Sequence, residues 1–180
     1  MWLIGWWNWT SMMKLSITTT LRCPIEDVFN YITNHYNEPL WNPDVKSVQD
    51  FESDTWGLGA TCTMVFQSAE ENDGNSVSAG QLAELLVTSY RPHVDYAFRS
   101  TTNNYVVLSH YRLSHQRDTT TRLVFASTVH LRGVLMKTIM RVPIHRSVMR
   151  SMHRNFDNLK AILESNRLPK IHQSNQSLYR

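Results

Sequence analysis

The sequence predicts an α+β domain, a curved antiparallel sheet of about six or seven strands closed against a long C-terminal helix. Three observations predict it. A strand-like alternation leads into a helical stripe near the start, and the middle is a succession of alternating runs joined by short polar turns. Toward the C-terminus the pattern changes to apolar residues recurring every seven positions. The length of 180 residues suits one domain. With 42% hydrophobic and 18% charged residues, the chain has enough apolar side chain for a core and too little charge for an intrinsically disordered protein. Two cysteines, Cys23 and Cys62, are too few for a disulfide scaffold or a four-thiolate zinc site. No run of about 18 apolar residues argues for a membrane-spanning helix, and a cytoplasmic globule is expected.

The elements follow in order. Leu15, Ile17, Thr19 and Leu21 alternate with Ser16, Thr18 and Thr20, the pattern of a half-buried strand. Pro24 suits a first helical turn, Glu26 and Asp27 favour a helix N-terminus, and Val28, Phe29 and Ile32 form the apolar stripe. That helix is expected to stop near His35, before Asn37-Glu38-Pro39. Val45 to Glu52 reads as a strand, and Gly57-Leu58-Gly59 as a turn into Thr61–Gln67. Glu71-Asn72-Asp73-Gly74-Asn75 is a strong turn signal. Leu82–Tyr90 follows, then Arg91-Pro92, then Val94, Tyr96 and Phe98 on alternate positions. Asn103-Asn104 and Asp118-Thr119 turn the chain into Tyr105–His115 and Arg122–Leu131, so an antiparallel meander is expected. After Gly133, Leu135, Val142, Met149, Phe156 and Leu163 recur every seven residues, supported by Ile139, Met152 and Leu159. Pro143 predicts a kink, or a short helix followed by a longer one starting near it.

Charge is unevenly spread. Residues 1–131 carry 8 Lys+Arg against 13 Asp+Glu (−5), whereas residues 132–180 carry 10 against 2 (+8), which together give the net +3. Arg146, Arg150 and Arg154 lie four apart on what should be a solvent face. The basic segment is expected to lie over the acidic remainder of the molecule. Residues 1–13 hold four of the six tryptophans. They read as an extension outside the domain, either disordered or not natively translated, with Met12 or Met13 as the true start. Tryptophan's preference for the membrane–water boundary leaves weak membrane-surface contact as the other reading, through this segment or the basic helix. The domain is assigned to 14–166, and 167–180 to a flexible Gln/Ser/Asn-rich tail.

Several segments carry a family likeness. Ile17-Thr-Thr-Thr-Leu-Arg-Cys-Pro-Ile-Glu-Asp-Val-Phe-Asn-Tyr-Ile32 resembles the opening strand and helix of the START-like superfamily, also called SRPBCC or Bet v 1-like. Trp41-Asn42-Pro43-Asp44-Val45 matches its next landmark, a tryptophan followed by proline and valine. Gly57-Leu58-Gly59-Ala60-Thr61 matches its glycine-bracketed strand start, and Tyr90-Arg91-Pro92 its turn between later strands. Asn158-Leu159-Lys160-Ala161-Ile162-Leu163-Glu164 matches the close of its final helix. The closest flavour is the polyketide cyclase/dehydrase and lipid-transport group. The resemblance implies a helix-grip fold with an apolar cavity between the sheet and the long helix. It also implies a small apolar ligand, with no choice among the carriers, cyclases and quinone-binding proteins of the superfamily.

Motifs for other chemistry are missing. The eight histidines include no His-Glu-x-x-His, so no metal site is expected. There is no Gly-x-Ser-x-Gly elbow. Cys23 precedes a helix N-terminus, where a thiolate would be stabilised, but a small apolar residue at the turn is the simpler reading, and Cys62 reads as core. Gly57-Leu58-Gly59 lacks the third glycine and following helix of a dinucleotide site, and no Walker lysine motif occurs. No nucleic-acid-reading module accompanies the basic helix. No cofactor and no nucleic-acid partner are therefore expected.

The cavity is left as the candidate site. Met64 and Phe66, Tyr96 and Phe98, Tyr111, and the trio Phe125, Ser127 and Val129 should face it from successive strands. Met149, Met152 and Phe156 should face it from the helix. Aromatic and methionine walls suit an apolar molecule such as a lipid, isoprenoid, quinone or aromatic polyketide. His145 shares a heptad row with Met152 and Leu159 and is expected to point inward. With Tyr111 it forms the candidate catalytic pair of the alternative reading, a polyketide aromatase/cyclase, in which it would protonate an enolate. Tyr111 and Ser127 would otherwise orient a ligand hydroxyl or carbonyl.

Overall fold

A computed structural model describes residues 12–53, 55–67, 81–117, 119–131 and 143–165, with side chains of the last helix described from residue 146 on. The elements run β1 (Met12–Leu21), α1 (Ile25–Thr33), a 3-10 turn (His35–Asn37), α2 (Glu38–Trp41), β2 (Val45–Glu52), β3 (Thr61–Phe66), β4 (Leu82–Arg91), β5 (Asp95–Thr101), β6 (Tyr105–Arg117), β7 (Thr120–Leu131) and α3 (Pro143–Glu164). The strands form one antiparallel sheet ordered β1-β7-β6-β5-β4-β3-β2. Register shifts in β2, β4 and β6 bend the strands and curve the sheet. This is the expected helix-grip arrangement, with α3 as the sheet's cover.

Local chemistry accounts for most boundaries. Pro24 sits immediately before α1, Glu26 and Asp27 occupy its first turn, and Ile25, Val28, Phe29 and Ile32 bury its inner face. Thr121 Oγ1 donates to the Cys23 carbonyl at 2.8 Å, pinning the β1–α1 turn to β7. Gly59 holds φ +86°, a conformation open to glycine, and its N–H donates to the Val87 carbonyl at 3.0 Å. At the far end of the chain, Lys160 Nζ donates to the Thr20 carbonyl at 2.8 Å and the Arg22 backbone N–H to Glu164 Oε1 at 2.9 Å. These bonds latch the end of α3 onto the β1–α1 junction. Met152, Phe156, Leu159 and Leu163 bury the stripe of α3 in the common core with Leu15, Leu21, Val28 and Phe29. Each such side chain contributes about 1.5–3 kcal/mol by leaving water.

Some boundaries differ from expectation. β1 begins at Met12, because Met12, Met13 and Lys14 continue the ladder opposite His130, Val129 and Thr128. Val94 is not in a strand: the turn after Arg91 carries His93 at φ +60° and leaves Val94 exposed, so β5 starts at Asp95. Helical structure resumes past the expected stop near His35, from His35 to Trp41. Pro43 follows α2, and the Glu38 carbonyl accepts from the Asn42 N–H at 2.9 Å. α3 starts at Pro143, as in the reading with a second helix beginning there. Leu135, Ile139 and Val142 lie outside the described residues, as do residues 1–11 and 166–180. No helix among the described residues is long and apolar enough to cross a membrane.

Candidate functional site: a cavity between sheet and helix

Between the concave face of the sheet and α3 lies a cavity of about 310 Å³. Met64, Phe98, Tyr111, Phe156 and Met152 form its buried inner wall, joined by Phe125 and Ser127, while half-buried Phe66, Val107, Val129 and Val148 border its more open part. The rings interlock. Phe156 lies 5.5 Å from Phe125, 6.0 Å from Trp41 and 6.5 Å from Tyr111, and Tyr111 lies 4.8 Å from Phe125. Such contacts hold aromatic walls in fixed orientations. A depression of about 360 Å³ along β2–β5 is lined by Asp50, Glu52, Glu84, Arg99 and threonines together with Cys62, Leu85 and Leu86, a mixed charged and apolar surface.

Of the twelve side chains expected to face the cavity, nine line it, Tyr96 and Met149 do not, and that of His145 is not among those described. Tyr96 is fully buried beneath α1 and the 3-10 turn, not at the cavity wall. Its hydroxyl shares a 2.8 Å hydrogen bond with His35 Nε2, and its ring packs 6.5 Å from Phe29. Met149 is half-buried against the core. Val148, Ser151, Met152, Asn155 and Phe156 make the lining stripe, from which Met149 is turned by about 100° relative to Val148. His145 falls in the first turn of α3, and its side chain lies outside the described residues.

A polar end was not anticipated. Glu38 and Asn42 from α2 and the following turn, Asp44 before β2, and Ser151 and Asn155 from α3 converge on one side of the cavity. Asn42 Nδ2 donates to Glu38 Oε1 at 3.1 Å, Asn155 Nδ2 to Asn42 Oδ1 at 2.8 Å, and Ser151 Oγ to Asp44 Oδ2 at 2.6 Å. Glu38 Oε2 is 3.6 Å from His35 Nδ1, and both side chains are buried. Burial, the Glu38 charge and neighbouring Tyr96 hold the Tyr111 phenol far above its ordinary pKa, so it stays a proton donor. The same landmark, Trp41-Asn42-Pro43-Asp44, was legible as a fold marker. Its polar side chains, Asn42 and Asp44, are the part of that landmark that reaches the cavity.

The basic segment meets the acidic remainder through Arg154, 3.5 Å from Asp44, while Arg146 and Arg150 are exposed. Both cysteines are free and buried. Burial together with Asp27 and Glu164 pushes the Cys23 thiol up to about 11, and burial with Glu38 pushes Cys62 up to about 12. Both shifts oppose thiolate formation, at the α1 N-terminus as in the core. Away from the cavity, Asp95 accepts from Ser89 Oγ at 2.7 Å and contacts His110 Nε2, with Arg91 3.4 Å away. No cluster of metal-ligating side chains occurs among the described residues.

Solved structures share this architecture. One is the Zhui aromatase/cyclase from Streptomyces sp. R1128, with TM-score 0.68 and 13% identity, covering 89% of this chain and 98% of that one. A START superfamily protein from Mycobacterium smegmatis gives TM-score 0.65 at 11% identity, covering 84% and 97%. Ara h 8.0201 gives TM-score 0.63 at 14% identity, covering 87% and 100%. At these identities the likeness is one of fold: the chain has the SRPBCC/START-like helix-grip fold. No protein-family model and no curated protein sequence matches it.

Proposed function

We propose that the protein binds a small hydrophobic molecule, of lipid, isoprenoid, quinone or aromatic polyketide type, between the sheet and α3, as a carrier or sensor. One observation carries this reading: the cavity of about 310 Å³ with an inner wall of Met64, Phe98, Tyr111, Met152 and Phe156. That volume is at the lower end of the usual range for ligand pockets, about 300–1,000 Å³. Its flexible thioethers adapt to ligand shape while the rings supply flat contact. A panel of lipids, quinones and polyphenols tests it by thermal unfolding. A ligand at a hundred times its Kd should stabilise the fold by about 2.7 kcal/mol, or roughly 5–11 °C for a chain of this size. No shift with any member removes the reading. Weak contact with an anionic membrane would run through the Trp-rich start, tested by vesicle cosedimentation of the chain against one starting at Met13, or through exposed Arg146 and Arg150, tested by the same assay on Arg146→Gln/Arg150→Gln.

The second reading, an aromatase/cyclase-type enzyme, is favoured by the Tyr111 phenol, which lines the cavity and is kept protonated. A phenol in this position would protonate an enolate of a bound polyketone, with His145 as its proposed partner. Turnover lost in Tyr111→Phe with ligand affinity retained would support it. Intact turnover in both Tyr111→Phe and His145→Ala would remove it.

A further inference from the structure

The cavity's polar end is rich in hydrogen-bond acceptors and short of free donors. Asn155 is 7% exposed, and its Nδ2 donates to Asn42 Oδ1 at 2.8 Å and Asp44 Oδ2 at 3.3 Å. Those two bonds fix the amide's orientation and leave Asn155 Oδ1 a buried acceptor with no partner. Glu38, 6% exposed on the same wall, receives one hydrogen bond, from Asn42 Nδ2 at 3.1 Å. Of the donors here, Asn155 Nδ2 and Ser151 Oγ are committed to protein acceptors, and one N–H of Asn42 Nδ2 is committed to Glu38.

Charge at this end has one sign. Glu38 and Asp44 line it, and none of the described lining residues is a lysine or arginine. Asp44 is half-exposed and has Arg154 at 3.5 Å on the solvent side. Glu38 is inside, where the basic atom within ion-pair reach is His35 Nδ1 at 3.6 Å. Burial, and after it the Glu38 charge, raises the phenol of Tyr111 on the cavity wall. A carboxylate or phosphate placed there would bring only acceptors and a second negative charge, with no cation to offset the loss of its hydration. The other polar groups on the wall, the hydroxyls of Ser100, Tyr105, Ser109, Tyr111 and Ser127 and the Trp41 indole N–H, are neutral.

We infer that the cavity selects apolar ligands whose polar end is a hydrogen-bond donor without negative charge, a hydroxyl or an ammonium group, held by the Glu38 carboxylate, and rejects acids of the same shape. This rests on the ligand-binding reading above and names the substrate class for that site.

A matched naphthalene series tests it on the full chain at neutral pH, by calorimetric titration. Its members are 2-methylnaphthalene, 2-naphthol, (2-naphthyl)methylamine and 2-naphthoate. The expected result is that naphthol and the amine bind about tenfold or more tightly than naphthoate, the worth of one charge-assisted hydrogen bond. In Glu38→Gln, which keeps the shape and removes the charge, the gap between naphthol and naphthoate should narrow several-fold. Naphthoate binding as tightly as naphthol to the unaltered protein overturns the inference and leaves the ligand-binding reading standing. Failure of every member, 2-methylnaphthalene included, overturns both.

Discussion

Replacing Ser127 by leucine separates a real cavity from a filled core by the sign of its effect on stability. Ser127 is buried on β7, opposite Leu15 of β1 and Ser109 of β6, and lines the cavity. Leucine exchanges its hydroxyl oxygen for a carbon and adds two more. A space of about 310 Å³ has room for them, being the bulk volume of roughly ten waters. Three added carbons at ~0.8 kcal/mol each give a gain of about 2.4 kcal/mol. Ordering the leucine side chain returns 0.5–1 kcal/mol, roughly. Ser127→Leu should therefore stabilise the fold by about 1.5 kcal/mol, or raise Tm by about 3–6 °C for a chain of this length. Urea titration at an unchanged m-value measures it, and the same variant should bind 2-naphthol at least roughly tenfold more weakly, because ligand and leucine compete for one volume. Overpacking a filled core instead costs about 1–3 kcal/mol. Destabilisation of that size, with naphthol affinity unchanged, would refute the cavity.

Tyr96→Phe leaves His35 Nε2 buried without its 2.8 Å partner and should cost about 1–3 kcal/mol in urea titration, while ligand affinity stays near that of the unaltered chain. Burial raises the Asp95 carboxyl, but hydrogen bonds from His110 and Ser89 outweigh it and hold the folded pKa below the ordinary value. Its contribution is thus complete above the unfolded value near ~3.9 and lost as pH falls through the lower folded value. Asp95→Asn should flatten the stability profile in that acid window; an unaltered acid limb contradicts this. Cys23 and Cys62, pushed up to about 11 and about 12, should resist iodoacetamide in the folded protein at pH 8 and react fully in denaturant, read by mass spectrometry. Rapid native labelling of Cys23 would show a reactive thiol at the α1 N-terminus after all.

Periodicity made most of the architecture legible. The strands alternate because one face of the sheet is core, and Met152, Phe156, Leu159 and Leu163 follow the helical period because they fill its concavity. Phe98, Tyr111, Phe125 and Ser127 could be placed on the cavity side for the same reason. What escaped was set by contacts between distant segments. Tyr96 alternates correctly, but its hydroxyl is claimed by His35, 61 residues away, in a 3-10 turn too short to show a period. α2 has four residues, one a proline, and no apolar stripe to read. The polar end joins Glu38, Asn42 and Asp44 to Ser151 and Asn155, more than a hundred residues apart. Neither group forms a motif alone. Met149 failed for a smaller reason: a seven-residue row fixes a helix stripe only to within about one residue's turn, and the stripe that meets the cavity runs through Val148 and Met152.

Native mass spectrometry of the freshly purified chain, with organic extraction and identification of whatever is released, tests ligand binding most directly. The expected spectrum shows a 1:1 adduct of an apolar molecule bearing a hydroxyl or amine, displaced by 2-naphthol and diminished in Ser127→Leu. A bare mass that also takes up no member of the naphthalene series would contradict the claim that this cavity is a binding site.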